Sequence, residues 1–210
     1  MCDPPGMDEL GLFPLPVVLF PTERIPLHIF EPRYLELIEE CFAEGREFGL
    51  VFTSGDGLHE IGTRAVVAEI MERLDDGRLN IVVEGGARFR VVAVTGGRSF
   101  TTADVEPVQD DDESPPDLSR ALELFTSLAG EAGSDVDIPD ASSPLLDFEL
   151  AARVDFAPED KQDLLASTSP SARAERLSEL LELALEAVRT EKLLSERAGQ
   201  NGKVTPLGPE

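Results

Sequence analysis

The chain has no tryptophan, one tyrosine, two cysteines and two histidines among its 210 residues. Cys2 and Cys41 cannot build a disulfide framework, which fits a reducing, cytoplasmic compartment. They form no C-x-x-C pair, and His28 and His59 have no ligand spacing, so no metal site is read. Base is also scarce: 18 Lys and Arg face 42 Asp and Glu, a formal net charge of −24, and neither half of the chain is basic. Such a surface repels a phosphate backbone and an anionic membrane, which excludes nucleic acid and membrane as favoured partners. A basic or unfolded polypeptide is not excluded. No apolar run reaches the ~18 residues of a membrane span. The opening MCDPPGMDEL has neither the basic nor the apolar region of a signal peptide. No G-x-x-x-x-G-K-[ST] loop is present to cradle phosphates. Lys161, Lys192 and Lys203 sit in charged or flexible contexts, unlike the pKa-depressed lysine of a Ser-Lys dyad. No catalytic residue and no cofactor is assigned.

What is present divides the chain in two. Residues 10–20 read as an apolar strand broken by Pro14 and Pro16, followed by a loop through Pro26. Pro32 suits the first position of a helix that buries Tyr34, Leu35, Leu37, Ile38, Cys41 and Phe42, with Gly45 as its cap. Phe48–Phe52 is a short strand. Ala65–Leu74 and Leu79–Val83 flank Asp75-Asp76-Gly77, a hairpin turn. Gly85-Gly86 marks a bulge or bend before Arg88–Val94 resumes the β pattern, and Ser99–Val108 alternates again. Short strands with tight turns and one early helix predict a small, partly closed barrel over 8–108.

Residues 109–117, QDDDESPPD, form an acidic linker. Helical periodicity then runs over 117–198: 118–129, 145–154, 158–166, and a long helix entered through Ser169-Pro170 with a seam of Leu177, Leu180, Leu181, Ala184, Leu185 and Val188. Residues 199–210 read as a flexible tail. The fold class is therefore α+β.

Two prolines six residues apart frame an apolar turn in FPTERIPLHIFEPRY, residues 20–34. This stretch, within FPLPVVLFPTERIPLHIFEPRY at 13–34, resembles the opening of the Lon protease N-terminal, substrate-binding domain. IVVEGGARFRVV at 81–92 and DKQDLLASTSPSARAERLSELL at 160–181 extend the resemblance from about residue 10 to about residue 195. The resemblance implies a PUA-like β barrel followed by a helical bundle, in a stand-alone member without the ATPase and peptidase domains. It implies a non-catalytic module that binds polypeptide substrates or partner proteins.

Apolar segments would be held in a shallow groove between barrel and helices, or on a barrel edge strand by β-augmentation. Candidate contacts are Phe20, Pro21, Ile25, Leu27 and Ile29, although Leu27 and Ile29 also read as core. Two rival readings are an adaptor that delivers substrates to a separately encoded ATP-dependent protease, and an RNA-binding PUA-like protein, which the charge disfavours. Leu183, Ala187, Leu193 and Leu194 hint at a second stripe on the long helix, which would suit a homodimer. His28 reads as a structural residue with a backbone hydrogen bond, His59 as solvated, and Asp110–Glu113 as a solvated linker rather than a calcium loop. Glu31 is read as favouring the positive end of the first helix, and Arg33 as pairing with a carboxylate.

Overall fold

The structure, a computed structural model, describes residues 8–55, 57–111 and 115–201. Cys2, Asp112, Glu113, Lys203 and the tail from residue 202 onward lie outside the described residues, and so do the readings made on them. The described elements are β1 (Asp8–Leu15), β2 (Arg24–Ile29), α1 (Pro32–Glu44), β3 (Phe48–Ser54), β4 (Gly57–Arg73), β5 (Leu79–Thr95) and β6 (Thr102–Pro107). Then come α2 (Ser119–Ala132), α3 (Leu146–Ala152), α4 (Pro158–Ala166) and α5 (Pro170–Asn201). The long helix thus runs past residue 198.

Local signals set most of the boundaries. Pro32 stands in the first turn of α1, and Gly45 ends it in the left-handed region. Gly77, at φ 87°, closes the β4–β5 hairpin, with its N–H bonded to the Leu74 carbonyl at 2.9 Å. The Ser169 hydroxyl accepts a 3.3 Å bond from the Ala172 N–H at the entrance to α5, a cap that satisfies one of the free donors of the first turn.

The sheet order is β2-β5-β4-β3-β1-β6, with β5 pairing a second time, to β6. That pairing returns the sheet toward its start and gives the partly closed barrel. β1 and β3 run parallel, joined by a crossover through β2 and α1, and every other pair is antiparallel. Leu12, Val51, Phe89 and Val105 pack together from four strands of the barrel. One end is closed by α1, whose Leu37 and Ile38 meet Phe48, Leu50 and Ile81.

β5 serves two neighbourhoods. Its first half pairs with β2, its second half with β6. Between them the β4 register jumps from Ala65↔Gly85 to Thr63↔Arg88, so Gly86 and Ala87 together stand opposite Arg64, one extra residue that makes the bulge expected at Gly85-Gly86. Gly85 has a second reason. A Cβ there would collide with the Phe20 carbonyl oxygen, and the close approach lets Thr22 N–H and Gly85 N–H exchange backbone bonds across the gap, 2.8 and 2.9 Å.

The helices share a core with the barrel. Val18, Phe20, Phe52 and Ile61 pack in one cluster with Phe125, Leu146, Phe148, Leu150, Leu177 and Leu181. Gln162 of α4 adds a polar tie, donating to the Ile61 carbonyl at 3.0 Å.

Candidate functional site

The five residues singled out in the sequence separate into two groups. Phe20 has no accessible surface; its ring lies 5.7 Å from that of Phe148 in the shared core. Pro21 is buried too, and Ile29 is sealed against α1. Phe20 and Ile29 offer no contact surface, while Pro21 reaches only the rim of a hollow between barrel and helices. Ile25 and Leu27 are half-buried and pack on the core beneath β2. The cause is a strand where a loop was expected: residues 24–29 pair with β5, and the period of two turns Ile25, Leu27 and Ile29 inward together. The short alternation is interrupted by Pro26, which hid it from the sequence reading.

The other side of the same strand is the exposed one. Three cross-strand rows span the outer face of the β2–β5–β4 ribbon. They are Arg24–Glu84–Val66, Pro26–Val82–Glu69 and His28–Asn80–Glu72. In the first row Arg24 and Glu84 form a 2.6 Å ion pair. In the third, His28 Nδ1 donates to Asn80 Oδ1 at 2.7 Å, and Asn80 Nδ2 donates to Glu72 Oε2 at 3.0 Å. His28 therefore bonds an exposed side chain, not the backbone. Register jumps bulge Ala68 and Met71 out of β4. Met71 is 60% exposed, and Phe30, stacked over His28 at 6.1 Å, is 61% exposed. Pro26, Leu27, His28, Met71, Glu72, Asn80 and Ile81 line a concavity of about 510 Å³. Met71 in the lining of this hollow and Phe30 stacked on its neighbour His28 give one face two large apolar contacts that a docking partner could cover.

A second hollow, of about 470 Å³, lies between barrel and helices, lined in part by Pro21, Gly85, Ala87, Val108, Leu145 and Phe148. Arg88 and Asp110 in its lining belong to a charge network. Arg88 donates to the Leu165 and Ser167 carbonyls at 2.9 and 2.7 Å and to Asp110 at 2.5 Å. Arg173 bonds both oxygens of Asp110 and reaches Asp147 at 2.5 Å. Both guanidinium groups sit over the Phe148 ring, at 5.2 and 4.5 Å. Arg173 and Asp147 are each 4% exposed. Burial pulls the Asp110 carboxyl upward, but the hydrogen bonds and charge of Arg173 and Arg88 outweigh it and hold the group below the ordinary carboxylate value. Asp110 thus clamps β5 to α5, and Arg173 extends the tie to Asp147 of α3, so Asp110 is not a solvated linker residue. Nearby, burial raises the Glu23 carboxyl against the opposing effects of the Phe20 N–H bond and the Lys161 charge. With every charge of the network bonded inside the protein, this junction is built for holding the two halves together.

The remaining candidates have local explanations. His59 is half-buried, its ring packed on Phe52 at 4.8 Å. Cys41 is buried, which pushes its thiol up to about 11. Arg33 pairs with Glu31 at 2.8 Å, while the Glu31 side chain makes no cap bond to α1. On α5, Leu183, Ala187, Leu193 and Leu194 are all exposed. Among the described residues no cluster of three or more His, Cys, Asp or Glu could hold a metal ion, and no helix is long and apolar enough to cross a membrane.

Residues 9–182 match the family model for the ATP-dependent protease La (LON) substrate-binding domain. The Lon protease of Methylocella silvestris is 26% identical over 220 residues, covering 96% of this chain and 26% of that protein. The Lon protease of Syntrophus aciditrophicus is 29% identical over 163 residues, covering 71% of this chain and 20% of that protein. The chain spans about a quarter or less of the length of these curated relatives. A Lon N-terminal domain protein from Xanthomonas campestris superposes with a TM-score of 0.65 at 26% identity, over 81% of this chain and 96% of that one. The N-terminal domain of Mycobacterium avium complex Lon protease has a TM-score of 0.67 at 16% identity, over 83% and 98%, a likeness of fold. With 174 consecutive residues inside the family model, the chain belongs to the ATP-dependent protease La (LON) substrate-binding domain family.

Proposed function

We propose that this chain binds polypeptide segments on the outer face of the β2–β5–β4 ribbon and contributes capture rather than bond cleavage. The observation that carries this reading is the hollow lined by Met71 and His28, with Phe30 stacked on His28 beside it, so that two large apolar side chains more than half exposed stand on this face. Burying such a side chain in a complex is worth about 1.5–3 kcal/mol, a substantial share of the free energy of a weak complex.

The face is favoured over the open edge of β2. Among the described strands, β2 pairs with β5 alone. The Gly85 N–H bonds the Glu23 carbonyl, so the period of two turns the backbone groups of residues 24, 26 and 28 toward the free edge. Pro26 stands at the middle of those three and has no N–H. An added strand would meet a missing donor there, and proline on an edge is a known guard against strand addition.

The captured segment would pass to an ATP-dependent protease, a use supported by the Lon proteases among the relatives. The test is fluorescence anisotropy with a labelled, permanently unfolded protein. Phe30→Ala is expected to weaken binding about tenfold, the equivalent of ~1.4 kcal/mol. Unchanged affinity in a folded Phe30→Ala/Met71→Ala variant would move the site elsewhere. Failure to retain any unfolded protein would overturn the reading.

A further inference from the structure

We infer that the segments preferred by this surface carry Lys or Arg next to their apolar residues. This rests on the reading that the ribbon face binds polypeptide, and it names the chemistry of the substrate.

The inference comes from how charge is matched around the hollow. Arg24 is neutralised by Glu84 at 2.6 Å, and Arg33 by Glu31 at 2.8 Å, next to Phe30. At the hairpin end, Arg78 is held by Asp76 and Arg73 by Glu39. Asp75 at the hairpin tip and, on the ribbon face, Glu69 and Glu72 are left without an ion pair among the described residues. Glu72 Oε2 accepts one bond from the neutral Asn80, and Glu69 stands exposed across from Val82. Glu72 lines the hollow itself, beside Met71. One wall therefore offers apolar contact and an unmatched carboxylate together, and a second carboxylate stands one row away.

A Lys or Arg side chain fits this arrangement. Its methylene stem covers apolar surface while its charged end reaches a carboxylate. An acidic segment would meet Glu69, Glu72 and the field of a chain with net charge −24, and its approach would be opposed from outside as well as within the hollow. The apolar side chains supply affinity, and the two carboxylates supply the choice between segments.

Three short labelled peptides with the same Leu-Phe core, flanked by Lys, by Gln or by Glu, test this by anisotropy titration. The Lys-flanked peptide is expected to bind about tenfold tighter than the Glu-flanked one at about 0.05 M salt, and the ratio should shrink toward about threefold at about 0.5 M. Glu69→Gln/Glu72→Gln should remove most of the preference. Asp135→Asn/Asp137→Asn takes the same charge from an exposed loop elsewhere and should leave the preference intact. Equal binding of all three peptides, weakened by Phe30→Ala, would overturn the charge preference and leave the ribbon as the binding face. A Lys preference that survives Glu69→Gln/Glu72→Gln would overturn the assignment to these carboxylates. If no peptide and no unfolded protein binds, the ribbon reading falls, and the preference with it.

Discussion

Arg88 and Glu72 belong to the same β4–β5 hairpin and meet opposite surroundings. Arg88 is buried at the junction with the helices, and its donors reach two carbonyls and Asp110. Glu72 lies at the other end of the hairpin on an open face, bonded to an asparagine and to no base among the described residues. At the junction, charge has been desolvated, so each ion must be matched or the fold pays the full cost of an uncompensated buried charge. On the ribbon, water solvates what the protein leaves unmatched, so a carboxylate and a large apolar group can remain free at little cost to the fold. The junction carries the buried charge, and in the proposed function the ribbon carries recognition.

That division implies unequal responses to mutation. The largest loss is expected at the junction: Arg173→Ala strands Asp147 in the core and should cost about 3–5 kcal/mol in urea unfolding. Phe20→Ala should follow at about 3 kcal/mol, because it empties the core between Phe148 and the barrel rather than a contact surface. In both variants the fraction that remains folded should bind unfolded protein as the parent does. A large fall in affinity at equal folded concentration would join the two regions into one site.

Acid should act on the junction next. The Asp110 carboxyl is held below its ordinary value, so its contribution is fully present above about pH 4 and is lost as pH falls through the depressed folded value. Asp110→Asn should lower the melting temperature at neutral pH and flatten its decline below about pH 4. An acid limb identical to the parent's would remove Asp110 from the clamp. The smallest effect on stability belongs to Phe30→Ala, within about 0.5 kcal/mol of the parent, as for most exposed positions. Its effect should appear in binding alone, and a loss of several kcal/mol would mean that Phe30 packs in the fold.

Much of this fold could be read from neighbouring residues. Pro32, Gly45, Asp75-Asp76-Gly77, Pro158 and Ser169-Pro170 each act within a turn of their own position, and the elements begin or end where they stand. The bulge at Gly85-Gly86 was legible for the same reason. β2 was not, because six residues with a central proline look like a loop until β5 supplies the partner. Asp110 reads as solvated because it begins an acidic run, and nothing local tells that Arg173 waits 63 residues later. The surface suffered most. Phe20 and Ile29 stand out in the sequence as apolar members of a distinctive motif, but a motif's apolar residues are what the core claims first. Phe30, in the same motif, is the one that pairing and turn geometry leave outside. An exposed His28 beside it was the available hint, since polar alternation along 24–28 marks an outward face.

Backbone hydrogen exchange with and without saturating unfolded polypeptide separates the two regions in one experiment. Binding on the ribbon predicts added protection at residues 24–30, 66–72 and 80–84, with the junction at 85–88, 108–110 and 165–173 unchanged. Protection confined to the junction, or to the exposed stripe of α5, with the ribbon untouched, would contradict it.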